Sequence, residues 1–228
     1  MRSRAHAVAR RLTLRLAAIT FTAGGAVLAP HTSTAQTASS DDKSDTKSQS
    51  LADQPLGSRE EFIAILEVTR GKEALGEIHV RLHHKYAPRH VKNFVSLAEK
   101  GFYDGTLFHR VKKESFVQGG DPLSKDANPE NDGTGGPGYM LQPEHNDKKH
   151  VRSAVAMAAV GNKNAGSQFF IDLKDHPSWD GKYTVFGNVI EGLDVADEIG
   201  NSKLKGERPV TPVRMKVRVE IRKRALKL

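Results

Sequence analysis

From Thr106 to Val189 the chain is cut into short apolar runs by glycine, proline and asparagine, and this limits it to a fold of short strands. Such runs match strand lengths and are too short for core helices. Because no helical segment alternates with them, the pattern predicts an antiparallel barrel or sandwich and argues against a doubly wound sheet. The runs are Thr106–Val111, Phe116–Gln118, Tyr139–Gln142, Ala154–Val160, Gln168–Leu173 and Thr184–Val189.

Longer periodic segments flank these runs. Phe62–Val68 and Leu75–Leu82 predict two antiparallel strands joined by a turn at Gly71. Apolar residues at helical spacing between Pro88 and Gly101 predict a helix that starts at the proline and stops at the glycine. A short helix over Leu193–Ile199 is expected before a final strand, Val213–Ile221, in which Val213, Met215, Val217, Val219 and Ile221 share one face.

The N-terminus has the three parts of an export signal. Residues 2–15 are rich in arginine, residues 16–29 are apolar or small and uncharged, and Ser33-Thr34-Ala35 provides a small-x-small cleavage site. We therefore assign residues 1–35 to a signal peptide and expect an exported, periplasmic or secreted protein with no stable membrane insertion after cleavage. An uncleaved membrane anchor is the alternative, although the apolar run is short for a bilayer span. Arg10-Arg11 leaves open a twin-arginine route.

Residues 36–58 are polar and contain few large apolar residues, so they cannot bury enough surface to offset the entropy of ordering. We expect them to form a flexible linker. Residues 59–228 are then the folded domain, with a monomer as the default state.

The formal net charge of +8 suggests nucleic acid until the charges are located. Five arginines in the first fifteen residues account for five of these charges, which leaves a modest surplus of three for the rest of the chain. We therefore expect no nucleic-acid partner, and a steep salt dependence of binding would be the sign that this is wrong.

The sequence lacks the residues that several classes of reaction and ligand site require. The chain has no cysteine, which excludes a disulfide framework and a thiolate site. The glycines of residues 161–167 lack the lysine of a phosphate loop, and neither an HExxH pair nor a GxSxG elbow is present. We expect no metal and no cofactor.

Arginine and glutamine side chains instead occur among aromatic residues. Phe108-His109-Arg110-Val111 is followed by Phe116-Val117-Gln118-Gly119-Gly120-Asp121, and Gly166-Ser167-Gln168-Phe169-Phe170-Ile171 comes later. Fixed polar donors beside aromatic rings are typical of a dry ligand pocket. A surface arginine beside core phenylalanines would give the same pattern.

These motifs, with Gly133–Gly138 (GTGGPG) and Tyr183–Val189 (YTVFGNV), resemble the cyclophilins in order and spacing from about residue 60 to 222. The resemblance implies a closed eight-stranded antiparallel β-barrel capped by two α-helices. It implies a peptidyl-prolyl cis-trans isomerase that assists protein folding by rotating X–Pro bonds in unfolded or flexible polypeptides, its expected partners. It assigns catalysis to Arg110 and Gln118 and substrate binding to Phe116, Met157, Ala158, Ala159, Gln168, Phe170, Trp179 and Tyr183.

Three departures from the family pattern bear on the pocket. Ser115 stands where the family usually has a phenylalanine, and Phe116 follows one place later. Trp179 lies beside the usual tryptophan position, which leaves sensitivity to cyclosporin open, and Tyr183 replaces a common histidine. The smaller side chain at Ser115 raises an alternative function, a proline-peptide binding module with low turnover.

Overall fold

The computed structural model describes residues 49–160 and 163–224, with the side chains of that range except those of residues 160–165. The described residues belong to one compact unit. It contains helices α1 (Pro88–Glu99) and α2 (Leu193–Gly200) and three 3-10 turns, Leu51–Asp53, Pro122–Lys125 and Pro177–Trp179. The strands are β1 (Glu60–Arg70), β2 (Glu73–Leu82), β3 (Arg110–Lys112), β4 (Phe116–Gly119), β5 (Ala154–Val160), β6 (Lys163–Asp172), β7 (Val185–Glu191), β8 (Leu204–Lys205), β9 (Arg208–Pro209) and β10 (Val213–Lys223).

Eight strands form one curled antiparallel sheet in the order β10-β1-β2-β7-β5-β6-β4-β3, and β8 and β9 form a separate hairpin. The edge strands β3 and β10 share no ladder. The chain just before β3 meets β10 through an isolated bridge between Leu107 and Arg214 and a hydrogen bond from Phe108 N–H to Val213 O of 2.9 Å. The eight strands and two helices confirm the predicted fold class, but the word "closed" overstates this short seam.

The predicted β1–β2 hairpin forms around Gly71, whose φ of +61° suits a residue without a side chain. In β10 alternation works as expected for the first three apolar positions: Val213, Met215 and Val217 are buried and their neighbours Arg214 and Lys216 are exposed. Inward side chains from the sheet and from both helices make one core.

Helix α1 lies where the apolar periodicity predicts it. Pro88 begins it, and the carboxylate of Glu144 accepts hydrogen bonds from the N–H groups of Arg89 (3.1 Å) and His90 (2.9 Å) in the first turn of the helix. Its buried residues include Val91, Phe94 and Val95.

The end of the predicted linker is ordered. Leu51–Asp53 forms a 3-10 turn against α1, where Glu99 accepts hydrogen bonds from the Ser50 hydroxyl (2.5 Å) and the Leu51 N–H (2.7 Å). Leu51, Ala52 and Leu56 pack against the core. The prediction of a flexible linker is therefore wrong for residues 49–57, because these few apolar side chains find a surface to cover. The rest of the linker and the predicted signal peptide lie outside the described residues.

Two predicted strands differ. Tyr139–Gln142 forms no strand, and Tyr139 and Met140 are about half exposed. Of Thr106–Val111 only the end belongs to β3, because the earlier residues pair with β10 just outside a regular ladder. Within the described residues, no helix combines the length and apolar character needed to cross a membrane.

Candidate active site

The register of four strands brings the candidate residues together on the outer face of the barrel. Arg110 of β3 pairs with Gln118 of β4, Gln118 with Phe170 of β6, and Phe170 with Ala156 of β5. Because residues opposite each other on neighbouring strands point to the same face, this row crosses the sheet side by side. Residues far apart in sequence thus become neighbours.

A cavity of about 270 Å³ opens over this row. It is smaller than the roughly 300–1,000 Å³ of pockets for drug-sized ligands, so it suits one ring of a peptide with its adjoining backbone. Eight of the ten predicted site residues line it, together with Lys112: Arg110, Phe116, Gln118, Ala158, Ala159, Phe170, Trp179 and Tyr183.

Arg110 forms the polar rim. Its Nε donates to Oε2 of Glu207 at 2.5 Å and its Nη1 lies 3.4 Å from Oε1 of Gln118, while its Cζ sits 5.1 Å from the centre of the Phe116 ring. About half of the Arg110 side chain is exposed (47%), so it is neither buried beneath the barrel wall nor turned away from the cavity. Among the described residues, Nη2 has no hydrogen-bond partner and remains available.

Gln118 is fixed by a relay of amides. Its Nε2 donates to Oε1 of Gln168 at 3.0 Å, and Nε2 of Gln168 donates to the carbonyls of Gly133 (2.9 Å) and Gly135 (2.8 Å). With both of its amide atoms engaged in this relay, Gln168 is 2% exposed and lies behind the cavity instead of lining it. It supports Gln118 and borders a neighbouring groove with the glycine-rich loop.

Four aromatic rings form the apolar wall. Phe170 is perpendicular to Trp179 (5.5 Å between centres, 87°) and to Tyr183 (5.4 Å, 88°), and Phe116 lies 5.9 Å from Phe170. Edge-to-face contacts of this kind are favourable and keep the rings apart as walls of a slot.

Met157 was expected in the pocket and is absent from it. It pairs with Phe169 on β6, and both side chains are fully buried on the inner face. Because strand side chains alternate between faces, Ala156 beside it points to the pocket side instead. Met157 therefore belongs to the core and cannot touch a ligand.

Ser115 is buried and does not line the cavity. Its hydroxyl lies 3.3 Å from Nε2 of His176, and the His176 ring stacks on Trp179 at 3.8 Å between centres and 12° between planes. The side chain at 115 is buried, so the aromatic surface at this corner comes from Phe116, Trp179 and the imidazole behind them.

Two residues at the site were missed. Lys112 lines the cavity, and period-two alternation from Arg110 could have found it. Glu207, on the β8–β9 turn, reaches Arg110 from a distant part of the chain, and no local pattern signals that contact. His109, next to Arg110, is buried, and burial lowers its pKa, so it adds no charge to the rim at neutral pH.

The lining side chains that the structure describes include no carboxylate, imidazole, thiol or aliphatic hydroxyl. The site can hold a ring in an apolar slot and donate hydrogen bonds at its edge.

Comparison with known proteins gives the family. The model of the cyclophilin-type peptidyl-prolyl cis-trans isomerases matches residues 65–219. The chain is 43% identical over 145 residues to a peptidyl-prolyl cis-trans isomerase of Helicobacter pylori, covering 62% of this chain and 85% of that protein. It is 37% identical over 148 residues to one of Arabidopsis thaliana, covering 62% and 86%.

A solved structure agrees. A cyclophilin-type peptidyl-prolyl cis-trans isomerase of Cryptosporidium parvum superposes with a TM-score of 0.62 at 26% identity, over 72% of this chain and 99% of that one. The same protein crystallised in the presence of the dipeptide Ala-Pro gives a TM-score of 0.60. The chain belongs to the cyclophilin-type peptidyl-prolyl cis-trans isomerase family, and its enzyme class is that of the isomerases.

Proposed function

We propose that this protein accelerates rotation about X–Pro bonds in unfolded or flexible polypeptides, with Arg110 as the hydrogen-bond donor that acts on the twisted bond. The observation that carries this proposal is the position of the Arg110 guanidinium at the edge of the aromatic slot, fixed at Nε by Glu207 and close to Gln118.

The barrier to be lowered is electronic. Resonance holds the peptide C–N bond planar against a rotation barrier of about 18–20 kcal/mol. Twisting the bond localises the lone pair on the prolyl nitrogen, which turns it into a hydrogen-bond acceptor. A donor that meets this nitrogen, or steadies the adjacent carbonyl, binds the twisted amide better than either planar isomer, which is the requirement for catalysis.

Arg110 accounts for part of the acceleration. A charge-assisted hydrogen bond contributes about 1.5–3 kcal/mol, which corresponds to roughly ten- to a hundredfold in rate. The remainder comes from the slot, where Phe116, Phe170, Trp179 and Tyr183 surround the proline ring, exclude water and thereby strengthen the arginine contact. Gln118 orients Arg110 or holds the carbonyl, and Ala158 and Ala159 face the peptide backbone.

Replacing Arg110 tests the mechanism. Arg110→Ala should lower kcat/KM on an Ala-Pro peptide at least tenfold, while Tm stays nearly unchanged because the side chain is half exposed. Arg110→Lys keeps the charge but loses the planar fork of donors, so most of the loss should persist. Lys113→Ala, a charge removal in the adjacent turn outside the cavity, is the matched control.

Exchange and affinity should be measured on the same peptide by NMR. Wild-type turnover in Arg110→Ala would eliminate the proposed role of this residue. Binding by the unmodified protein without accelerated exchange would make it a proline-peptide module instead.

We also propose that the protein acts outside the cytoplasm, in the periplasm or as a secreted protein. The support is the arginine-rich, then apolar, then small-residue order of residues 2–35. After expression of the full chain in a bacterium, N-terminal sequencing of the mature protein should begin at Gln36. An intact Met1 in the cytoplasmic fraction would contradict export.

A further inference from the structure

One buried imidazole lies directly behind the aromatic slot. The ring of His150 is nearly parallel to Phe170 (5.9 Å between centres, 13°) and meets Trp179 and Tyr183 edge-on (5.9 Å each, 81° and 80°). Its side chain is fully buried and does not line the cavity. A single side chain thus contacts three of the four rings that would hold the proline.

Asp172 fixes the orientation of this imidazole. Its Oδ2 lies 2.8 Å from Nδ1 of His150, and the Asp172 side chain is also fully buried. Asp172 lies two residues after Phe170 on β6 and therefore on the same face of the strand. Strand β6 therefore supplies both Phe170, which lines the slot, and Asp172, which holds the imidazole behind it.

The backbone around His150 is held as well. The His150 N–H donates to Oδ1 of Asp180 at 2.9 Å, and the His150 carbonyl accepts from the N–H of His176 at 2.6 Å. His176 carries the ring that stacks on Trp179. The main chain of His150 is therefore hydrogen-bonded to the loop that bears Trp179, and its ring contacts the Trp179 ring.

As a means of filling the core, the His150–Asp172 pair is unfavourable for the stability of the fold. Among the described residues, Nε2 of His150 and Oδ1 of Asp172 have no hydrogen-bond partner, and burial raises the pKa of Asp172. Buried polar atoms without partners are destabilising, and apolar residues of similar volume are often as stable or more so. Stability alone does not account for the pair, whereas a fixed ring orientation does.

We propose that His150 and Asp172 are positioning residues for the isomerase reaction: the hydrogen bond between them sets the orientation of His150, which holds Phe170, Trp179 and Tyr183 at the angles that form the proline slot. This rests on the proposed function of the cavity. The pair acts through the wall and touches no substrate atom, so its loss reduces the affinity for the peptide and, because the slot contributes to the acceleration, also the rate of the bound complex.

Trp179 reports on the wall directly because it is the only tryptophan of the chain. Two variants of the full-length protein test the pair. Asp172→Leu keeps a similar volume and removes the oxygen that accepts from His150, and His150→Phe keeps a ring and removes its hydrogen bond to Asp172. Both should shift the emission of Trp179 and increase its quenching by acrylamide, and both should raise KM for an Ala-Pro peptide about three- to tenfold and lower kcat about two- to fivefold.

A core variant elsewhere controls for general destabilisation. Val95→Ala, in the buried face of α1, should lower Tm without changing the Trp179 emission or KM. If His150→Phe does not fold, Asp172→Leu decides alone. Unchanged emission and KM in Asp172→Leu, or equal changes in Val95→Ala, would overturn the proposal.

The two proposals fail separately. A shift of Trp179 emission in Asp172→Leu, with no turnover by the unmodified protein, would overturn the isomerase function and leave the positioning pair. Normal turnover in the unmodified protein, with no effect of either variant on emission or KM, would do the reverse.

Discussion

Two residues position the guanidinium of Arg110. Glu207 accepts a hydrogen bond from Nε, while Gln118, which donates to Gln168, lies beside Nη1. Glu207→Gln removes one charge of the ion pair and keeps an oxygen acceptor. Because both partners are about half exposed, the pair contributes about 0–1 kcal/mol to stability, so Tm should hardly change.

The same substitution should loosen the guanidinium and lower kcat/KM about two- to fivefold, with the difference from the unmodified protein shrinking at high salt. A titration of activity against salt for both proteins makes the comparison. Full activity of Glu207→Gln at low salt would mean that Gln118 alone positions the arginine.

The sequence predicted which residues line the cavity better than it predicted the contacts those residues make. The positions of Arg110, Gln118, Phe116 and Phe170 in the cavity match the resemblance, since short motifs preserve strand parity. The prediction that Met157 lines the pocket was wrong, because its place beside a motif does not say which face of the strand its side chain occupies.

The histidine contacts behind the slot were not predictable. They join a loop before β5 to β6 and to the 3-10 turn at Pro177–Trp179, and only the folded chain brings these together.

At the scale of elements, periodicity succeeded where an element has one buried face. Helix α1, the β1–β2 hairpin, α2 and β10 all lie within two or three residues of their predicted bounds, because each alternates or repeats against the core. The short run at Tyr139–Gln142 failed: four residues among glycines and prolines carry too little pattern, and the loop around them is held by contacts to Gln168 and Asn93. Short apolar runs indicate strands only when a neighbouring edge is free to pair.

For the whole molecule, histidines that are buried or half-buried set how stability depends on pH. Burial, with the charges of Lys148 and Arg81, lowers the pKa of His83 from 6.5 to about 4. Between these values the unfolded chain binds a proton that the folded chain does not, so stability falls as pH drops from about 6.5 to about 4. Burial also lowers the pKa values of His84, His90 and His109.

Two carboxylates oppose this trend. Burial raises the pKa values of Asp132 and Asp172 above 3.8, so the folded state takes up their protons first and gains stability as pH falls. Four histidines thus lower the stability of the fold as pH falls, and two carboxylates raise it. The histidines of the unfolded chain take up protons first as pH falls from neutrality, because their ordinary pKa is higher than that of a carboxylate. Calorimetry from pH 7 to pH 4.5 should therefore show Tm falling by about 5 °C or more. His83→Gln should flatten this slope, since glutamine does not titrate, and a constant Tm, or a slope unchanged in that variant, would show that these histidines do not control acid stability.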